Sequence, residues 1–595
     1  MRKPCPLSAA HAGRILSGAL LAGLLAGPAA AQEWNPFATS NSAQREQARE
    51  ARRDPRSAAA SDDIIRPTGD SSASAVERGD LAPVMAPDGS GLPYELWQGL
   101  NVSTLERLIS EIDIPPRSPA LHKLWLRLIT SNLPPPDGGV TDQQFLALRL
   151  EILYRSGLLN EASRLLASQP ASDPVVAILS ARNAIGLGDK ERGCEAMKTA
   201  GAAPAQLPKP VKADAALISG YCAAIASDAA GAGLAAEIAR EEGVKEGLGL
   251  SALDAISMGV APQTTAGRPI ALIDYRLIQA AGGAIDGKQL RKQASPALLA
   301  ALALDAQAPA AERLAAAEAA AEVNAITPQQ LADIYRAHAE GNAVISDAAG
   351  TDSPERRAAL FVAAENEHTP QKKVRMLRSF LDEAHRAGFY LTALRMVAPA
   401  SETIVAAPEI GWYAETGVEV ALAAGSFGKA REWAAFGSAP NGAAGASLNH
   451  WLALIDIAEG AKSSGEEDLR HVEDLALRGR MDATLLHRLA TVLDALQYNV
   501  PIPLWEAASK TPQPTGGHLP ETGVLTELQD AAKRRQFGRT VLLAMKTLGP
   551  SGAEGAHMIA LGDSIRALRR AGLDDDAHNL GFEALFASWP RAISN

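Results

Sequence analysis

From Phe145 to Pro174 the chain reads FLALRLEILYRSGLLNEASRLLASQPASDP, and its apolar side chains return every three or four positions. Leu146, Leu150 and Leu153 fall on one helical face, and Ala162, Leu165 and Leu166 form the stripe of a second helix. Gly157 ends the first run with a residue at ease in left-handed backbone, Asn160 offers a capping oxygen, and Pro174 opens the helix after. The pattern predicts two amphipathic helices folded back on each other, with the small Ala162 allowing close approach.

Helix-start signals recur along the chain. Ser118-Pro119, Asp173-Pro174, Ser295-Pro296, Ser353-Pro354 and Thr369-Pro370 each place a capping oxygen before a proline at the first helical position. Thr141 with Gln144 and Thr327 with Gln330 have the spacing of a capping box. The runs between, such as AERLAAAEAAAEV and RMLRSFLDEAHRAG, keep helical periodicity, whereas alternating strand patterns are almost absent. Aromatic residues are only 4% of the chain and Ala and Leu dominate, which suits closely packed helices and poorly suits a sheet. An all-α fold follows.

Gly157, Ala162 and Leu166 place a Gly, a small residue five on and a large apolar residue four later. Gly188, Gly193 and Met197 repeat that spacing, and Gly388/Ala393, Gly425/Ala430 and Gly572/Ala577 echo it. In these residues the chain resembles the tetratricopeptide and Sel1-like helical hairpins. Gly157 and Gly188 are 31 residues apart, against a family period of about 34. The resemblance implies an α-solenoid of antiparallel helical hairpins with a binding groove. It implies a binding role and no activity.

The first residues add a compartment. Arg2, Lys3 and Arg14 precede or flank an apolar run from Ile15 to Leu25, and Ala29-Ala30-Ala31 offers a cleavage site before Gln32. This is the pattern of a secretory signal peptide. The apolar run is too short to span a bilayer core of about 30 Å. Cleavage after Ala31 removes three basic residues and no acidic one, so a formal charge of 57 − 68 = −11 becomes 54 − 68 = −14. An acidic surface repels phosphate backbones, which argues against nucleic acid as a partner. The mature chain keeps Cys194 and Cys222 on consecutive predicted helices. In an exported protein they read as a disulfide, whose 28-residue separation is worth about 3.5 kcal/mol in loop-closure entropy.

Composition divides the chain as follows: signal peptide 1–31, polar disordered tether 32–90, a first helical-repeat segment 91–345, and a second 346–510. A Pro/Gly linker at 511–523 and C-terminal helical hairpins at 524–595 complete it. Within the tether, QREQAREARRDPR has a mixed-charge helical tendency. Trp97 and Trp125 read as core residues of an N-terminal cap.

Candidate chemistry is sparse. MIALGDSIRAL, at Met558–Leu568, resembles the Gly-Asp-Ser block of the GDSL-type esterases, and Asp575 and His578 follow with Asp-x-x-His spacing. That family sets its nucleophile on a strand-to-helix turn, whereas here the segment reads as one helix and a turn. Gly282–Gln289 approaches a phosphate loop but ends in Gln289 where a magnesium-binding hydroxyl is required, and Gly231–Ala236 lacks the strand a dinucleotide fingerprint needs. The 11 His residues contain no HExxH, so neither a metal nor a cofactor is expected.

The expectation is an exported, non-catalytic interaction scaffold of the bacterial periplasm that binds a protein or peptide in a helical groove. Tyr154, Trp412, Tyr413, Trp433 and Trp451 are the aromatic candidates for that groove, with core packing as their other reading. One alternative is a regulator of peptidoglycan synthesis or turnover that grips an envelope enzyme. Another is a GDSL-type hydrolase.

Overall fold

Thirteen turns among the described residues set the pattern of the molecule. In each, one residue takes positive φ and the following N–H donates to the carbonyl five residues back, as in Leu158 to Leu153 (2.9 Å), Asp189 to Ala184 (2.9 Å) and Leu573 to Leu568 (2.9 Å). This bond satisfies a carbonyl that the ending helix leaves open. Glycine holds the position at nine of these turns, among them Gly157, Gly188, Gly388, Gly425 and Gly572, and Ser227, Asn324, Gln497 and Arg535 hold it at the other four. At Gly157 a side chain is excluded twice, because φ is 76° and a Cβ would lie 2.9 Å from the Pro296 carbonyl oxygen.

A computed structural model describes residues 96–591 apart from 132–141, 171, 201–206, 208, 265–268, 342–351, 440–446 and 461–465. The signal peptide 1–31, the tether 32–90 and the Thr141 cap lie outside the described residues, as does the expected boundary between segments at 345–346. The chain divides after Glu77 into two units, and every described residue belongs to the second. Among the described residues there are 28 α-helices and one 3₁₀ turn, and no strand.

Helices joined by these turns pack on each other: Pro174–Gly186 on Lys190–Ala200, Lys209–Ile225 on Ala229–Glu241, Pro370–Ala387 on Tyr390–Glu402, and Ala414–Ala423 on Phe427–Ser438. Some helices two apart in the chain also touch, as Asp142–Arg155 does with Pro174–Gly186 and the latter with Lys209–Ile225. An ion-pair ladder marks that register. Arg182 bonds Glu151 at 2.6 Å and Asp214 at 2.8 Å, and its guanidinium lies 3.7 Å over the Tyr154 ring. Alanine fills much of the buried interior, and the few large rings, among them Trp125, Trp433, Trp451, Tyr335 and Phe361, occupy the wider spaces.

Packing is not confined to sequence neighbours, as a simple stack of repeats would have it. Asp574–Phe586 packs on both Pro119–Thr130 and His450–Glu459, and Phe537–Leu548 packs on Pro119–Thr130 and Val102–Ser110. The Gly538 N–H donates to the Leu96 carbonyl at 3.0 Å, and a Cβ on Gly538 would stand 2.4 Å from that oxygen. The Pro- and Gly-rich 511–523 stretch is held as well, since His518 N–H bonds Gly555 O at 2.8 Å and His557 N–H bonds His518 O at 3.0 Å. Helices from the two ends of the described chain therefore meet at a seam.

Candidate functional site

A cleft of about 610 Å³ opens along this seam. Its walls are the 111–118 loop, the 518–521 segment and the turn at 549–552. Ile112, Leu121, Leu519, Val524 and Met545 supply apolar surface, while Glu111, Asp113, Arg117, Glu521 and Lys546 supply charge. Leu519 is 49% exposed there. Lys546 bonds Glu111 across the seam at 2.5 Å, and with Arg107 it holds the Glu111 carboxyl below its usual range. A second cleft, of about 340 Å³, shares Arg117 and Ser118 with the first and reaches Glu322, Tyr390, Glu554 and Glu583.

Between the clefts sits a buried polar cluster. Ser118 caps the Pro119–Thr130 helix, accepting from Leu121 N–H at 3.2 Å and donating its hydroxyl proton to Glu583. The other Glu583 oxygen accepts from Ala120 N–H at 2.5 Å. Burial pushes the Glu583 carboxyl up to about 7, against the lowering effects of Ser118, Arg395 and Ala120. One turn along, burial and then the Arg395 charge push His122 down to about 4. Nearby, Arg127 Nη2 donates to both oxygens of Asp576, at 2.7 and 2.9 Å. Both Glu583 oxygens and the Ser118 proton are committed to this chain's own groups, so the cluster fastens the helix N-terminus to Asp574–Phe586.

The predicted groove aromatics are placed differently. Tyr154, Tyr413, Trp433 and Trp451 are buried. Tyr413 packs edge-on against Trp433 at 5.8 Å, and Trp451 Nε1 donates to Glu415 at 3.0 Å. The groove expectation is corrected for these four, because in an Ala- and Gly-rich interior their rings fill the space between helices. Only Trp412, 38% exposed, reaches solvent. Of the N-terminal cap residues, Trp125 is buried with Nε1 on Ser156 Oγ at 3.1 Å, and Trp97 packs edge-on against Phe145 at 5.9 Å.

The esterase-like residues are not brought together. Ser564 is fully buried within Met558–Ala571 and its Oγ has no hydrogen-bond partner, while His578 Nδ1 is taken by the Ile457 carbonyl at 2.9 Å. Gly231–Ala236 lies inside a helix, and Gly282–Gln289 is a turn entering the short helix Gly287–Gln293. Among the described residues no cluster of His, Cys, Asp and Glu could hold a metal ion.

Cys194 and Cys222 form a disulfide, with Cα atoms 5.6 Å apart, joining Lys190–Ala200 to Lys209–Ile225. Cys194→Ser/Cys222→Ser is expected to lower unfolding stability by about 2–3 kcal/mol, less than full loop-closure entropy because the reduced chain retains some structure. Guanidinium titration of both proteins measures it, and coincident curves would refute a stabilising bridge.

Sequence reasoning identified the Ser118 cap but missed Glu583, His122 and Arg395. One signal was present: Glu583 falls between Leu580, Phe582, Leu585 and Phe586 in an otherwise apolar run. A carboxylate there must be paired or pushed up in pKa. No protein-family model, curated protein or solved structure matches the chain.

Proposed function

We propose that this chain is an exported, non-catalytic interaction scaffold of the bacterial cell envelope. In this reading its helices form a solenoid of tetratricopeptide-like antiparallel hairpins, closed at a seam, and a protein or peptide partner binds in the seam cleft. The observation that carries it is the 610 Å³ cleft, whose apolar floor and rim of both charge signs suit a short stretch of polypeptide. The disulfide supports an oxidising compartment. Among the described residues no helix is long and apolar enough to cross a membrane.

A photocrosslinking amino acid at position 519, in full-length protein expressed with its own N-terminus, tests the reading. The expected result is a discrete adduct from the periplasmic fraction that Met545→Asp abolishes, since that change charges the cleft floor. Adducts that survive Met545→Asp, or none at 519, would remove the cleft from the function.

A further inference from the structure

Five large apolar side chains are left exposed between positions 225 and 260: Ile225, Leu234, Ile238, Met258 and Val260. Leu234 and Ile238 lie one turn apart on the outer face of Ala229–Glu241, whose inner face is the buried row Ala232, Ala235, Ala236 and Ala239. Leu248–Met258 packs on the same helix so closely at Gly233 that a Cβ there would stand 2.5 Å from Ser257 Oγ. Leu234 and Met258, the next residue of each helix, thus flank one line of contact. Val260 follows immediately, its N–H held by the Ala255 carbonyl at 2.9 Å. Leu234, Ile238, Met258 and Val260 thus form a strip across two helices and the turn that follows the second.

The surroundings of the strip are acidic. Arg240 is shared by Glu237 (2.8 Å), Glu246 (2.9 Å) and Asp254 (2.5 Å), so one guanidinium serves three carboxylates. Positions 225–260 carry six acidic residues and two basic ones, or 2 − 6 = −4. Self-association through this strip would oppose two such rims, and an anionic lipid surface would be repelled by either. A helix with a Leu-rich stripe flanked by Lys or Arg matches both features at once, burying the strip while its cations meet Glu237 and Glu241.

We propose that the strip from Leu234 to Val260 is a docking face for a basic amphipathic helix of a partner protein, separate from the seam cleft. The probe is a fluorescent helical peptide of about 18 residues built from Leu and Lys, tested on the mature chain by anisotropy. Its Leu/Glu counterpart is the control. Leu234→Ser/Met258→Ser is expected to weaken Leu/Lys binding about tenfold, while Leu304→Ser, at an exposed apolar site elsewhere, leaves it unchanged. Glu237→Lys/Glu241→Lys should weaken it comparably with the apolar residues intact. Equal binding to wild type and both double variants would overturn the proposal, as would equal binding of the Leu/Glu peptide. Sedimentation showing a dimer that Leu234→Ser/Met258→Ser dissociates would also overturn it, in favour of a second copy as occupant.

Discussion

Replacing Arg357 with Met is expected to cost about 3–5 kcal/mol of unfolding stability, the range for stranding one member of a buried ion pair. Arg357 is buried and meets the buried Glu318 through two nitrogens, Nε at 2.9 Å and Nη2 at 2.6 Å, while Nη1 bonds Asp352. Tyr335 donates its hydroxyl to the same carboxylate at 2.7 Å, and burial, then Glu318, hold that phenol well above its usual range. Three helices, Ala310–Glu322, Pro328–Gly341 and Pro354–Asn366, are thereby tied together beside Phe361 and Phe380. Without the guanidinium, the Glu318 side chain is left with the Tyr335 hydroxyl alone as its partner. Glu318→Gln in the Arg357→Met background should recover much of the loss, because a neutral amide still accepts from Tyr335. Urea titrations of the four proteins of the cycle measure the coupling, and simple additivity of the two substitutions would show that the pair does not act as a unit.

What was legible in the sequence was local. The capping box of Thr327 and Gln330 forms in both directions, at 2.8 and 3.2 Å, and Ser118, Asp173, Ser295 and Ser353 cap the helices they precede. Thr369 does not cap; Glu367 accepts from the N–H groups of His368 and Thr369 instead, a turn that the Thr-Pro signal does not distinguish. Turns centred on Gly were readable, whereas those at Ser227, Asn324, Gln497 and Arg535 were not, since these residues reach positive φ only where the surrounding packing compensates for it. The seam was hidden for a different reason. Glu583 and its partners Ser118 and Ala120 are 465 and 463 residues apart, and no periodicity relates positions so distant. Four of the five aromatic candidates, Tyr154, Tyr413, Trp433 and Trp451, are buried, and their core reading was not separable from a groove one because a ring on a helical face looks the same in sequence whether that face meets a partner or a neighbouring helix.

Glu583 should make the seam pH-sensitive. Its carboxyl lies at about 7 in the folded protein, mainly through burial, against 4.5 ordinarily. Between those values the folded chain holds a proton that the unfolded chain releases, so stability from this group rises as pH falls through 7 and levels off below 4.5. The full swing is about 3 kcal/mol at 1.36 kcal/mol per unit. His122 works the other way. Burial lowers it from 6.5 to about 4, so its contribution is lost as pH falls from 6.5 toward 4. The bare stability profile mixes these effects, and the informative quantity is the difference between wild type and Glu583→Gln. That variant keeps a carbonyl acceptor for one of the two donors and cannot ionise. Wild type should gain on Glu583→Gln by about 2–3 kcal/mol between pH 8 and pH 5, measured by denaturant unfolding at each pH, while Glu583→Ala, which leaves both Ser118 and Ala120 without their acceptor, should be less stable than Gln throughout. A wild-type-minus-Gln difference that stays flat across this window would mean that Glu583 does not change protonation on unfolding and that the seam is indifferent to pH.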